Sequence, residues 1–302
     1  MAMYLGNKKV AVTNTIEKQV PSMKAFFEAE GKCQGSTTTS FDGCWQYSDT
    51  ENVTDMNNMF YNCINLTNVP LFDTKNVKNM VSMFYNCKNL ANVPLFDTSN
   101  VTNMSSMFHY CYNLANVPLF DTKNVKNMAS MFYNCQNLTT VPQFDTSKVT
   151  SMAYMFSGCS KLANVPLFDT SKVTDMNNMF CYCSNLANVP LLDTSNVTNM
   201  KNMFYSCSKL ATVPQFDTSK VTNMSYMFKG CSSLEAIHMI NINANLDISA
   251  STKFTREALL EIIGNLKAQT SGSKKLTMGS TNLAKLTDED KAIATNKGWT
   301  LA

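Results

Sequence analysis

Val77-Lys-Asn-Met80-Val-Ser-Met83-Phe84-Tyr-Asn-Cys87-Lys-Asn-Leu90-Ala-Asn-Val93-Pro94-Leu-Phe96-Asp97-Thr98-Ser-Asn100 is one period of a pattern that governs most of this chain. Working outward, the valine returns every 24 residues without insertion, at Val53, Val77, Val101, Val125, Val149, Val173, Val197 and Val221. Each is followed after three residues by Met, after six and seven by Met-Phe, after ten by Cys and after thirteen by Leu. Val-Pro and a closing Phe-Asp-Thr follow in the same register, varied once to Leu192-Asp193-Thr194. Eight in-phase copies mark a repeat protein, in which each unit buries its apolar side against its neighbours.

At 100° per residue, Val, Met, Met, Phe and Cys of one unit fall within one stripe. The first half of each unit is therefore predicted to be an amphipathic helix of about three turns, from near residue 53 to 62 in the first copy. The preceding Asp-Thr would be its N-cap. Leu-x-x-Val-Pro predicts a strand of three or four residues ending at the proline, which lacks a ladder donor. Parallel strands stack at about 4.8 Å and packed helices at about 8–10 Å. The fold class is thus an α/β repeat: a curved solenoid of leucine-rich-repeat kind, strands inside, short helices outside, capped at both ends.

Residues 1–52 fit the period poorly and read as an N-terminal segment and cap. Within them Ser22–Glu30 looks helical, and Trp45 with Asp49-Thr50 suggests a degenerate first rung. Residues 53–244 hold the eight repeats, and 245–302 read as a C-terminal cap of divergent helix and strand units. There Thr255 is a candidate N-cap for a helix burying Leu259, Ile262, Ile263 and Leu266. Lys275–Met278 reads as a strand, and Thr287-Asp-Glu-Asp290 opens a last helix ended by Gly298.

Composition narrows the function. A net charge of +3 without a Lys/Arg block gives no electrostatic case for nucleic acid. No apolar run approaches the roughly 18–20 residues of a membrane span, so no membrane insertion is expected. The first ten residues carry no signal-peptide h-region.

The columns of chemically able side chains each have a packing reading beside the functional one. The cysteines Cys63 to Cys231 read as small buried thiols, although adjacent rungs would not exclude disulfides on distance. Cys181-x-Cys183 approaches a metal pair, but His is scarce, and no metal or cofactor is expected. Cys33 and Cys44 stand outside the column and are a candidate pair. The sixteen in-register methionines read as core. The aspartates Asp73, Asp97, Asp121, Asp145, Asp169, Asp193 and Asp217 read as helix caps rather than a calcium ladder. Three Asn-Val-Thr sequons, at 52, 100 and 196, straddle a core valine. No nucleophile elbow, phosphate loop or zinc helix is present, and no rung differs from the rest as a unique active site would, so an enzyme is not expected.

Binding is the remaining class. Five and eight residues after each valine, opposite the predicted core stripe, seven rungs carry a ring: Tyr61, Tyr85, His109, Tyr133, Tyr154, Tyr205 and Tyr226. Such a row suits sugar or protein recognition, unless each ring packs over its neighbour. The residue after each proline, Leu71, Leu95, Leu119, Gln143, Leu167, Leu191 or Gln215, tolerates Gln and is expected to face solvent. Exposed leucines there would form a patch for a partner.

Met-Phe-x-x-Cys-x-x-Leu followed by Phe-Asp-Thr-Ser-x-Val-Thr-x-Met resembles the BspA-like leucine-rich repeats of bacterial surface proteins, over roughly residues 53–240. The resemblance implies surface exposure and adhesion. The opening Tyr4-Leu-Gly-Asn-Lys-Lys-Val10 and the close Gly279-Ser-Thr-Asn through Gly298-Trp-Thr-Leu-Ala302 resemble tail-associated proteins of phages and prophages of gut bacteria. The expected partner is a bacterial or host surface glycan or protein, together with other virion proteins if the chain belongs to a tail. The expected function is a non-enzymatic recognition or adhesion module of a phage or prophage tail that binds a bacterial surface glycan or protein, located on a virion tail or a cell surface; the alternatives are a BspA-type cell-surface adhesin and a virion spacer without its own ligand.

Overall fold

In the computed structural model, the described residues are 2–5, 8–11, 50, 53–69, 71, 73–270 and 272–302. The expectations for Ser22–Glu30, Trp45, Cys33 and Cys44 lie outside them. Near the N-terminus β1 (Ala2–Leu5) pairs antiparallel with β2 (Lys8–Ala11).

The repeats stack as a parallel ladder, and the chain is a leucine-rich-repeat solenoid. Val77, Met80, Met83, Phe84, Cys87 and Leu90 are fully buried, as are their counterparts in the following rungs. The first phenylalanine of each unit forms a face-to-face column, with ring centroids 5.2–5.9 Å apart from Phe60 to Phe228. The second phenylalanine packs on the first within its rung, Phe84 on Phe96 at 6.2 Å.

The predicted helix in each repeat does not form. Among the described residues α-helix occurs only in the C-terminal segment. Between Val77 and Cys87 backbone donors alternate in use. The N–H groups of Met80, Ser82, Phe84 and Asn86 donate across to Asn103, Ser105, Met107 and His109 of the next rung, at 2.6–3.1 Å. Those of Met83, Tyr85 and Cys87 close turns onto the carbonyls three residues back. The segment is thus a run of tight turns whose every second amide is a ladder bond.

Each turn run needs a left-handed residue at the fifth and ninth positions after the valine. Asn58, Ser82, Ser106, Ser130, Tyr154, Asn178, Asn202 and Tyr226 fill the first, with φ of 53–60°. Asn62, Asn86, Tyr110, Asn134, Gly158, Tyr182, Ser206 and Gly230 fill the second. Helix fails for a physical reason: ten residues rich in Asn and Ser make a marginal helix, whereas the ladder gives every second amide a partner in the next rung. On this side the rungs are spaced as a β ladder, not as packed helices.

The strand expected at Leu-x-x-Val is shorter than predicted. It reaches strand form only in the last rungs, where β3 (Thr212–Val213) pairs parallel with β4 (Ala236–Ile237). Elsewhere the regular bridges run through the position two after the valine, from Asp55–Asn79 to Asn199–Asn223.

The aspartates do not cap helices. Each accepts the backbone N–H two residues on, as Asp97 does from Ser99 at 3.0 Å, and so holds a turn. The adjacent threonine column, Thr74 to Thr218, is buried, and each hydroxyl in it donates to a backbone carbonyl of the next rung. Thr122 reaches the carbonyl of Asp145 at 2.8 Å.

Beyond the repeats the stacking continues in altered form. Ile242 bridges Leu266, and β5 (Leu246–Asp247), β6 (Lys274–Thr277) and β7 (Trp299–Leu301) make a parallel sheet. Two nine-residue helices, α1 (Arg256–Gly264) and α3 (Asp288–Asn296), flank the short α2 (Ser280–Leu283). Thr255 caps α1 by accepting from Ala258 N–H, and α1 buries Leu259, Ile262 and Ile263. Thr287 and Asp290 form a reciprocal capping box on α3. Asp290, almost fully buried, also accepts a bidentate pair of bonds from Arg256 at 2.7 and 2.8 Å, tying α3 to α1. No helix of the described residues is long and apolar enough to cross a membrane.

Candidate functional site

Replacing helix by turns changes what the predicted ring row does. Tyr61, Tyr85, His109 and Tyr133 come together as a continuous stack, with centroids 4.7, 4.5 and 4.4 Å apart and planes within 13° of parallel. The ring faces inside this stack cover one another, so only edges and hydroxyls reach solvent. Tyr110 closes it from the side, edge-on to Tyr85, His109 and Tyr133. Burial in this sandwich pushes the His109 imidazole down to about 4, and its Nδ1 is buried without a hydrogen-bond partner. Burial likewise raises the Tyr85 and Tyr133 hydroxyls.

The remaining predicted rings are separate from that stack or at its edge. Tyr154 lies tilted against Tyr133 at 6.1 Å. Tyr205 and Tyr226 belong to a second cluster with Tyr182 and Lys229. Tyr182 meets Tyr205 edge-on at 5.2 Å, and the Lys229 ammonium lies 5.8 Å from the Tyr205 ring and 5.4 Å from that of Tyr226. Tyr182 and Tyr226 are each 55 % exposed. Sequence reasoning missed Tyr110, Tyr112 and Tyr182, which sit nine or eleven residues after the valine, because the helical projection turned those positions away from the row.

On the other side of the core the post-proline column faces solvent as expected. Leu71, Leu95, Leu119, Leu167 and Leu191 are 49–60 % exposed, and Gln143 and Gln215 are exposed in the same line. Gln143 donates its side-chain amide to the Leu167 carbonyl. A shallow concavity runs between Gln143, Leu167 and Leu191 and the turn residues Asp145, Ser147, Asp169 and Ser171. Hydrogen bonds from Ser147 and Ser171 hold Asp145 and Asp169 below the usual carboxylate value.

The thiols have no nucleophilic character. Cys87 donates Sγ–H to the Phe60 carbonyl at 3.0 Å, and each later member of the column repeats the contact. All are buried thiols outside any disulfide, and from Cys111 to Cys231 burial raises their pKa, to about 12 for Cys231. Cys181, outside the column, is also buried and pushed up to about 11. His238 is partly exposed and meets Glu261 at 2.8 Å, with no thiol or hydroxyl bonded to it among the described residues.

The family described as "Mycoplasma protein of unknown function, DUF285" matches this chain over residues 21–140, 111–191 and 161–257. No curated protein matches it in sequence. Among solved structures it is similar to a leucine-rich repeat protein of T. pallidum, with 17 % identity and a TM-score of 0.44, over 62 % of this chain and 84 % of that one. A leucine-rich repeat protein from Bacteroides ovatus matches at 16 % identity and a TM-score of 0.35, over 74 % and 72 % of the two chains. One from Eubacterium ventriosum matches at 19 % identity and a TM-score of 0.32, over 61 % and 58 %.

Proposed function

From a chain that belongs to the DUF285 family, we propose a recognition module, non-enzymatic, that grips a protein partner along its exposed leucine row. The observation that carries this reading is the row itself. Five leucines in register, each about half exposed, make two apolar runs, Leu71 to Leu119 and Leu167 to Leu191, separated by Gln143, while most other large apolar side chains among the described residues are in the core. Nothing in the fold requires leucine there, since Gln143 and Gln215 occupy the same column. A flat apolar strip with a polar margin suits a macromolecular surface, where binding energy comes from desolvating a central patch.

The setting we propose is a bacterial cell surface, the context its repeat motif resembles, with adhesion as the outcome. A tail-borne version would be marked by tail and baseplate genes beside its own. The test is binding of the fluorescently labelled protein to intact bacterial and epithelial cells. The double variant Leu95→Asp/Leu119→Asp should keep its melting temperature, because both side chains are exposed, and lose most of the cell binding. Undiminished binding by that variant overturns the leucine row as the gripping face.

A further inference from the structure

The turn side of the solenoid carries a charge pattern that the leucine row does not explain. From three to thirteen residues after the valine, the eight units contain no Asp or Glu but five lysines: Lys88, Lys161, Lys201, Lys209 and Lys229. All five are exposed, and none forms an ion pair among the described residues. Two are held over aromatic rings instead, Lys88 over Tyr112 at 5.8 Å and Lys229 over both Tyr205 and Tyr226. The carboxylates of the array lie elsewhere, in the turn before the valine, in the bridge position two after it, and once, at Glu235, fourteen residues after it, where it faces Lys253.

Backbone geometry marks the same place. Tyr182 and Tyr226 stand at left-handed positions, with φ of 61° and 59°. Most other rungs fill those positions with Asn, Ser or Gly, which suffer less there, the other tyrosine of the fifth column being Tyr154, 38 % exposed and tilted against Tyr133. A bulky ring in that conformation is strained, and these two rings are more than half exposed, so neither repays the strain by packing into the core. Tyr110, the other tyrosine in the ninth column, does pack, edge-on to three rings. Of the four left-handed tyrosines, the two most exposed therefore fall in one patch, Tyr182 and Tyr226 with Tyr205 and Lys229, and with Asn202 and Ser206 in the rung between.

We propose that this patch binds an anionic polysaccharide, with sugar C–H faces against Tyr182 and Tyr226 and a sugar carboxylate on Lys229. Exposed ring faces take the apolar face of a pyranose, and amide and hydroxyl side chains match its hydroxyls. A cation over two rings and without a carboxylate is available for the anion. The lysines are too sparse, at most one or two per rung, to suit nucleic acid, whose charges recur every ~1.7 Å. The patch lies across the core from the leucine row, so the two sites are independent.

The test titrates the full-length protein with oligogalacturonate, with neutral dextran and dextran sulfate as comparison ligands, by calorimetry and by tyrosine fluorescence. Tyr182→Asn and Tyr226→Ser use residues that other rungs already carry at those positions, so the fold is retained. Oligogalacturonate should bind while dextran does not. Lys229→Gln, Tyr182→Asn and Tyr226→Ser should each weaken binding roughly three- to tenfold, and Leu119→Asp should leave it unchanged. Equal ring dependence with dextran sulfate supports the site and widens the anion to sulfate. Absence of oligogalacturonate binding overturns the proposal, as does binding that salt abolishes but the ring variants leave intact. Loss of binding in Leu119→Asp alone also overturns it, by moving the ligand to the other face.

Discussion

His109 replaces tyrosine in the middle of a stacked ring column, and that exchange gives the fold a pH dependence. Its imidazole is sandwiched between Tyr85 and Tyr133 with Tyr110 at the edge, and burial lowers its pKa from 6.5 to about 4. A base whose folded pKa is depressed binds fewer protons folded than unfolded between the two values. Its contribution is therefore complete above about pH 6.5 and is lost as pH falls toward 4. The melting temperature should decline across that window, and His109→Phe, which keeps a ring in the column, should remove this part of the decline. The exposed aspartates, whose pKa values are lowered by turn hydrogen bonds, act at lower pH, below the ordinary carboxylate value of 3.8. An unchanged slope between pH 6.5 and 4 in His109→Phe would show that the imidazole is not the group responsible.

At the scale of the element, the decisive contest is between turn and helix. Val, Met, Met, Phe and Cys at offsets of zero, three, six, seven and ten satisfy a helical stripe, but they also satisfy a three-residue turn period. Leucine at thirteen and valine at sixteen keep the three-residue period and leave the helical stripe. The sequence held a second signal in the ninth column, where Asn, Ser and Gly recur at the residue that must be left-handed. Register, core columns and the outward leucines were legible because burial follows repeat position whatever the backbone does. Ring stacking was not legible, because it depends on backbone that the helical projection misplaced. The threonine column also went unnoticed, since a hydroxyl bonded to the next rung leaves no trace in hydrophobic periodicity. Ser130, with φ of 57°, offers a direct test. Ser130→Gly should hold or raise stability, while Ser130→Val should cost about 1–3 kcal/mol by urea denaturation. A helix in that segment would reverse the order, since glycine is the poorer helix former.

For the whole molecule, stability is carried between neighbours. Each rung gives amide and hydroxyl hydrogen bonds to the next and a thiol hydrogen bond to the one before, and the first phenylalanine column runs through every interface. Units that meet only adjacent units behave as a one-dimensional array. Removing residues 125–148, one complete period, should give a folded protein with a lower melting temperature, because the new junction restores the same contacts. Removing 125–136 should abolish cooperative unfolding, because it sets the leucine side against the methionine side. Circular dichroism melts of the two deletions compare these outcomes directly, and similar behaviour of both would contradict a neighbour-by-neighbour array.

The thiol column has a bearing on where such an array can work. From Cys111 to Cys231 each of its sulfurs is sealed in the interior, hydrogen-bonded to a carbonyl of the rung before, and shifted away from the thiolate state that oxidants and alkylating agents attack. These cysteines neither depend on an oxidising environment for cross-links nor suffer from one while the chain stays folded. So far as these thiols are concerned, a reductant finds no covalent tie to cut between one rung and the next.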